Sequence, residues 1–216
     1  MESWHKKLGY YKNPFLCNPH KEQFNLVGHK EELDKAKYYI SSGSIIFIEG
    51  EKGSGKTKFL KTIIKNYPNK IIYVNAEKLV KTINIEDLIR KRNGFFSSLK
   101  KKLSQDNILI IDNVNELPLI NMERLKYLYD QGNVLSIVFA GEKLSKAGLP
   151  ESMHSRIGKR VIRLKELEIE EAVSIVASRL GEDLSDEDSV ISKELVEKIF
   201  IESKKNPKTF LLNMHR

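Results

Sequence analysis

The sequence predicts an α/β fold, in which a five-stranded parallel sheet carries helices on both faces and is followed by a small α-helical lid. Three observations support this prediction. A glycine-rich motif stands between an apolar run and a helix, short apolar runs alternate with helical segments, and the C-terminal part has helical spacing of Ile, Val and Leu. We therefore expect an α/β domain over residues 1–164 and a helical lid domain over residues 165–216.

The first predicted strand, residues 45–48, leads directly into a motif that fits G-x-x-x-x-G-K-[ST]. Glycines let the backbone N–H groups face phosphate oxygens, and the following helix adds its positive N-terminal end. Lys56 is expected to reach the β- and γ-phosphates and Thr57 to ligate Mg²⁺. The alternative is a surface turn without a ligand. The nucleotide-binding candidates of this loop are Gly50, Gly53, Ser54, Gly55, Lys56, Thr57 and Lys58.

Four further apolar runs predict the remaining strands. The run that ends in Asp112 is continuously apolar, as expected of a parallel strand that is covered on both faces. Helical segments fill the gaps, so the order specifies a doubly wound sheet with ligands at the carboxyl ends of the strands. The predicted strands are residues 70–74, 107–112, 133–140 and 160–164, and the lid helices are residues 168–180, 192–203 and a last one opened by Asn206 and Pro207.

Asp112 closes the third predicted strand, where a carboxylate can hold Mg²⁺ through water. The alternative for Asp112 is a turn or helix N-cap residue. Many nucleotide hydrolases place a glutamate next, but here the position is Asn113, whose amide can orient water and cannot accept its proton. Glu116 either substitutes for that glutamate or caps a helix. We therefore expect slow hydrolysis.

The composition of the chain bears on membrane insertion, disulfide bonds, metal clusters and charge. No apolar run approaches the roughly 20 residues that span a bilayer, and the first residues lack a signal-peptide core. We expect a cytoplasmic protein without membrane insertion. The single cysteine, Cys17, excludes an internal disulfide, and the His residues are too scattered for a metal cluster. Residues 1–164 carry 29 Lys and Arg against 17 Asp and Glu, whereas residues 165–216 carry 8 against 12.

The basic charge is densest over residues 78–102, between the second and third predicted strands. Such a patch attracts polyanions such as nucleic acid, with basic side chains on phosphates and Phe95 or Phe96 stacking on a base or wedging between bases. Alternatively, Phe95 and Phe96 anchor an amphipathic helix and the lysines form its solvated face. The candidate nucleic-acid residues are Arg90, Lys91, Arg92, Phe95, Lys100, Lys101 and Lys102.

The N-terminal segments carry a family resemblance. Residues 9–15, Leu26-Val27-Gly28-His29 and Glu31-Glu32-Leu33 resemble the segments that precede the phosphate loop in AAA+ ATPases, above all archaeal origin-recognition initiators and ExeA-type ATPases. The resemblance covers nearly the whole chain. It implies ATP as the nucleotide, and it implies Phe15, Val27 and Gly28 as candidates for the adenine pocket.

Two later motifs resemble the same family. Met153-His154-Ser155-Arg156-Ile157 is similar to its S-R-[FI] box, which implies that Arg156 is an arginine finger acting on a neighbouring subunit's nucleotide in a homo-oligomer. Residues 205–208 resemble the G-N-P-R sensor-2 motif, with Lys208 as a point charge toward the γ-phosphate. The alternatives are a solvated arginine and a plain helix start. Ala140 and Gly141 stand where the family has the polar sensor-1 residue.

Two functions remain open at this point. The first is an AAA+ protein that couples ATP binding and slow hydrolysis to self-assembly and action on duplex DNA. The second is an ATP-controlled module that assembles or moves a protein partner without a nucleic-acid role. The chain ends at Arg216 directly after the predicted lid, which we expect to disfavour sequence-specific origin binding through a winged helix. A metabolic kinase is disfavoured by the Ser155-Arg156 box and the lid.

Overall fold

The structure is a computed structural model that describes residues 4–17, 24–68, 70–78, 106–184 and 189–215. The chain divides into two compact units. The sheet unit comprises Glu31–Lys52 and Phe59–Leu164, and the helical unit comprises Met1–Lys30, Gly53–Lys58 and Lys165–Arg216. Within the described residues the helices are α1 (Trp4–Lys7), α2 (Lys30–Ser41), α3 (Lys56–Asn66), α4 (Leu119–Asp130), α5 (Glu151–Ile157), α6 (Ile169–Leu180), α7 (Lys193–Glu202) and α8 (Pro207–Met214).

The sheet unit contains five parallel strands in the order β2-β3-β4-β1-β5. This confirms the predicted α/β fold and its sheet. The third predicted run is β3 as expected, whereas the fourth begins later because residues 133–135 form the turn and approach to the strand. The strands are β1 (Ile45–Glu49), β2 (Ile71–Asn75), β3 (Ile108–Asp112), β4 (Ser136–Gly141) and β5 (Val161–Arg163).

The apolar runs form central strands because both faces of the sheet are covered. Every residue of β3 and β4 is buried. On one face, Phe47 joins a cluster that includes Leu125 of α4 and Met153 of α5. Ile46 and Ile48 alternate to the other face and are fully buried as well. The continuous rather than alternating hydrophobicity is therefore the signature of a two-sided parallel sheet.

The helical unit has its own core, in which α6, α7 and α8 pack with Phe15 of the N-terminal segment. Its helix ends follow the sequence signals. Gly181 is left-handed and ends α6, and the Asn206 side chain caps α8 with Pro207 in its first turn. Glu168 and Glu171 form a capping box at the start of α6. No helix in the described ranges is long and apolar enough to cross a membrane.

Candidate nucleotide-binding site

The glycine-rich loop begins where β1 ends. The backbone N–H of Gly50 donates to the carbonyl oxygen of Gly141 over 3.2 Å, which ties the first residue of the loop to β4. Gly53 and Gly55 have φ of +90° and +94°, a left-handed region in which a side chain is strained. Lys56 then starts α3 and is only 9% exposed. The loop thus has the backbone conformation that its glycines predict.

Ser54 is notable in this loop. Its hydroxyl oxygen is buried and makes no hydrogen bond to any residue that the structure describes. A buried hydroxyl without a partner costs free energy unless a ligand or water supplies one. The loop residues therefore fit an anionic ligand with acceptor oxygens, such as a phosphate chain.

The start of α8 lies directly on the glycine-rich loop. The N–H of Lys208 donates to the carbonyl oxygen of Gly53 over 3.3 Å, and the Asn206 carboxamide accepts from the N–H groups of Lys208 and Thr209 over 3.1 Å each. A Cβ at Gly53 would stand 2.5 Å from Oδ1 of Asn206. The predicted sensor-2-like segment is thus in backbone contact with the loop, and the Lys208 side chain is exposed there.

The three candidates for the adenine pocket lie in different surroundings within the helical unit. Phe15 is 0% exposed and stacks on Trp4, with 5.9 Å between ring centroids. Gly28 is left-handed at φ +73°, and a Cβ there would stand 2.6 Å from the Glu171 carboxylate. Val27 is partly exposed. The structure therefore places Phe15 in the core of the helical unit and Gly28 in close contact with α6. Val27 and Gly28 are both partly exposed to solvent, whereas Phe15 is not.

Asp112 stands at the carboxyl end of β3 and is 1% exposed. The Tyr73 hydroxyl donates to its Oδ2 over 2.9 Å, and the N–H of Asn113 donates to its Oδ1 over 3.0 Å. Burial, and secondly the Asp112 charge, raise the pKa of Tyr73 well above its usual value, so Tyr73 remains a donor. A buried carboxylate whose orientation is fixed by two donors has the hard oxygen chemistry that suits Mg²⁺.

Asn113 adopts the left-handed conformation, with φ of 54° and ψ of 48°. Its side-chain nitrogen donates to Oδ1 of Asn75 over 3.0 Å and to Oε2 of Glu77 over 3.2 Å. Sequence reasoning missed Tyr73, Asn75 and Glu77. The signal was available, because β2 and β3 are parallel neighbours and Asn75 pairs with Asp112 in the register.

Glu116 and the end of β4 complete the carboxyl edge of the sheet. Glu116 ends the short 3₁₀ turn Val114–Glu116 and is exposed. β4 ends at Gly141, as expected for the strand without a polar sensor-1 residue. A Cβ at Gly141 would stand 2.8 Å from Oδ1 of Asn115, whose Nδ2 donates to the carbonyl oxygen of Lys146. A polar amide therefore does lie at the end of β4, supplied by the segment after β3.

Arg156 is paired within its own chain. Its Nε and Nη2 donate to the two carboxylate oxygens of Asp130 over 3.1 and 2.8 Å, and its Nη1 donates to the carbonyl oxygen of Ser152 over 3.0 Å. The Arg156 and Asp130 side chains are 33% and 35% exposed. An arginine held in this way must exchange a bidentate partner before it can reach a phosphate of another subunit.

Some predictions fall outside the described residues. These are the candidate nucleic-acid residues Arg90, Lys91, Arg92, Phe95, Lys100, Lys101 and Lys102. In the part of the chain that the structure does describe, no group of three or more His, Cys, Asp or Glu side chains forms a metal site. Mg²⁺ requires no such cage, since it takes most of its ligands from water and substrate phosphates.

A parallel α/β sheet whose first strand leads into a glycine-rich phosphate-binding loop defines the class of P-loop nucleotide-binding proteins. A sequence model of the AAA domain family matches residues 42–173, which is more than half of the chain. The protein belongs to this family, as its resemblance to AAA+ ATPases predicts. No curated protein sequence matches the chain.

Solved structures share the fold at low sequence identity. Cdc6p from Pyrobaculum aerophilum superposes with a TM-score of 0.68 at 16% identity, over 93% of this chain and 62% of that one. A Thermotoga maritima RuvB mutant gives 0.64 at 17%, over 87% and 61%. Aeropyrum pernix ORC1, in complex with DNA, gives 0.64 at 15%, over 88% and 59%. The chain spans about three fifths of the length of these structures.

Proposed function

We propose that this AAA+ protein binds ATP with Mg²⁺, hydrolyses it slowly, and couples binding and hydrolysis to self-assembly and action on DNA. The observation that carries the proposal is the glycine-rich loop at the end of β1, with left-handed Gly53 and Gly55 and a Ser54 hydroxyl that has no partner among the described residues. Backbone N–H groups of this loop bind the phosphates, and Lys56 meets the β- and γ-phosphates as a cation. Val27 and Gly28 contact the base.

Thr57 and Asp112 are the proposed Mg²⁺ ligands. When bound, Mg²⁺ neutralises charge on the phosphate oxygens. The hydroxyl of Tyr73 and the N–H of Asn113 orient the Asp112 carboxylate, so its lone pairs point in fixed directions. Lys208 adds a positive charge near the loop because the first turn of α8 contacts Gly53. These groups bind the triphosphate and its metal ion.

Slow turnover follows from the residue after Asp112. Asn113 donates its amide hydrogens to Asn75 and Glu77 and has no proton-accepting nitrogen. The polar side chains that follow β3 and lie at the end of β4 are the amides of Asn113 and Asn115, and an amide does not accept a proton from water. The site therefore favours ATP binding over hydrolysis.

Self-assembly is the proposed role of Arg156. An arginine supplied in trans stabilises charge on the transferring phosphoryl group, with rate effects of roughly 10³ to 10⁵ where it operates. In this chain the guanidinium must first leave Asp130. Contact with a neighbouring subunit's nucleotide offers a stronger acceptor, so assembly and activation are linked.

Action on DNA is proposed from charge and from similarity. Residues 1–164 are strongly basic, and the structurally similar ORC1 was solved in complex with DNA. The alternative is an ATP-controlled protein-interaction module with little hydrolysis. That alternative is favoured by Asn113 after Asp112 and by the internal Arg156–Asp130 pair, both of which lower turnover by the isolated chain.

The test is ATP binding and steady-state hydrolysis by wild type, Lys56→Ala and the control Lys198→Ala, which removes an exposed lysine of α7. Each is assayed at low salt with and without duplex DNA, over a series of protein concentrations. We expect turnover to vanish in Lys56→Ala, to persist in Lys198→Ala, to rise with DNA, and to increase faster than linearly with protein. ATP binding without turnover above that of Lys56→Ala under every condition would instead establish the protein-interaction module.

A further inference from the structure

We propose that Glu77 is the general base of ATP hydrolysis in this protein, in place of a carboxylate at position 113. This inference rests on the proposed function and names one more residue of the same site. Glu77 lies in the 3₁₀ turn Ala76–Lys78, immediately after β2. Its role follows from three hydrogen bonds at the carboxyl ends of β2 and β3.

The three bonds connect Glu77 to the residue that follows Asp112. Oδ1 of Asn75 accepts from the N–H of Glu77 over 3.1 Å and from Nδ2 of Asn113 over 3.0 Å. Nδ2 of Asn113 also donates to Oε2 of Glu77 over 3.2 Å. The Glu77 carboxylate is thereby bonded directly to the residue that follows β3, beside the proposed metal ligand, and its backbone N–H shares the Asn75 acceptor with that residue.

The Glu77 carboxylate remains available for chemistry. The residue is exposed, and Oε1 accepts no hydrogen bond from the residues that the structure describes. An amide that donates to Oε2 leaves the second oxygen free to bind a water molecule. Glu116, the candidate from the sequence, bonds to Asn113 only through its backbone N–H, which donates to the Asn113 carbonyl oxygen over 3.0 Å. Among the described residues the Asn113 side chain donates to Glu77 and Asn75 and not to the Glu116 carboxylate.

The backbone at position 113 explains why the carboxylate comes from elsewhere. Asn113 is left-handed, and asparagine tolerates this conformation better than glutamate does. Asparagine also provides the two hydrogens that hold Asn75 and Glu77. The amide at position 113 and the carboxylate at position 77 therefore act as a pair, with the amide as the positioning residue.

The reaction balances with water as the only co-reactant. The water oxygen forms a bond to the γ-phosphorus while the bond from that phosphorus to the β,γ-bridging oxygen breaks, and the bonding electrons leave with ADP. Glu77 takes one proton from the attacking water and later returns it to phosphate or solvent. The products are ADP and inorganic phosphate.

The test compares Glu77→Gln with wild type at saturating ATP in the full chain, with Glu123→Gln as the control for loss of an exposed carboxylate on α4. We expect turnover to fall by about 10² to 10⁴ in Glu77→Gln, the range for general-base removal, with the dissociation constant for ATP unchanged within about twofold. Glu123→Gln should match wild type. Asn113→Ala should lower turnover less than Glu77→Gln, and Glu77→Gln should then cost less in the Asn113→Ala background.

Three results would overturn the inference. If the turnover of Glu77→Gln stays within about threefold of that of wild type, Glu77 is not the general base, while the proposed ATP hydrolysis still stands. A loss in Glu116→Gln with normal turnover in Glu77→Gln assigns the base to Glu116. Wild type that shows no turnover above Lys56→Ala refutes hydrolysis itself, and this failure is visible before any Glu77 variant is compared.

Discussion

Alanine at Gly53 should destabilise the helical unit more than alanine at Gly55, although both glycines are left-handed. A side chain at φ near +90° costs about 1–3 kcal/mol at either position. Within the described residues Gly53 alone of the two has a close neighbour, since its Cβ would stand 2.5 Å from Oδ1 of Asn206, whereas a Cβ at Gly55 meets no described atom within 4 Å. The difference between the two variants therefore isolates one contact.

The magnitude follows from what Asn206 does. To admit a methyl group at Gly53, the Asn206 carboxamide must move, and it then loses its bonds to the N–H groups of Lys208 and Thr209. Loss of an N-cap costs about 1 kcal/mol, within a range of about 0.5–2 kcal/mol. We expect Gly53→Ala to be less stable than Gly55→Ala by that amount, which lowers Tm by a further 2–4 °C or so.

The assay is urea unfolding without nucleotide, followed by fluorescence. The chain has one tryptophan, and Trp4 stacks on Phe15 in the helical unit, so its emission reports this unit. In an Asn206→Ala background the extra cost of Gly53→Ala should disappear, because the obstructing carboxamide is gone. Equal stabilities of Gly53→Ala and Gly55→Ala, or an extra cost that survives in Asn206→Ala, would refute the reasoning.

Three further outcomes are expected. Lys205→Gly should raise Tm by about 1–3 °C in thermal unfolding because Lys205 is left-handed at φ 52° and glycine is not strained there, whereas glycine at the helical, exposed Lys198 should lower it. The pKa of Tyr73 is raised in the folded protein, so above about pH 10 only the unfolded chain releases this proton. The free energy of unfolding of wild type should therefore fall by up to about 1.4 kcal/mol per pH unit in that range. The urea midpoint of Tyr73→Phe should fall less steeply with pH than that of wild type. A residual slope should remain from Tyr10, whose pKa is raised to about 12 by burial and then by Glu182. Asp130→Asn should steepen the rise of ATP turnover with protein concentration, since it frees Arg156, and an unchanged rise would contradict a role for Arg156 in trans.

The sequence sufficed for most of the fold. Residues 108–111 are apolar without alternation, and so short an apolar run that ends in a polar turn predicts a buried parallel strand. Gly181 and Asn206 were predicted as helix boundaries, and both have the expected cap geometry because capping depends on residues a few positions apart. The predicted start of β4, residue 133, is three residues earlier than the observed start, Ser136. The apolar residues Val134 and Leu135 continue the pattern of the strand, although residues 133–135 belong to the turn that precedes it.

The candidate site contains features that depend on residues adjacent in sequence and features that depend on residues adjacent only in space. The glycine-rich loop and its flanking strand and helix are contiguous, so the sequence alone determined them. Four other contacts join residues that are 26 to 153 positions apart in the sequence. They are the hydrogen bond from Tyr73 to Asp112, the hydrogen bond from Asn113 to Glu77, the Arg156–Asp130 ion pair and the close contact of Asn206 with Gly53. Such contacts depend on which strands become neighbours and in which register, and only the tertiary structure decided that.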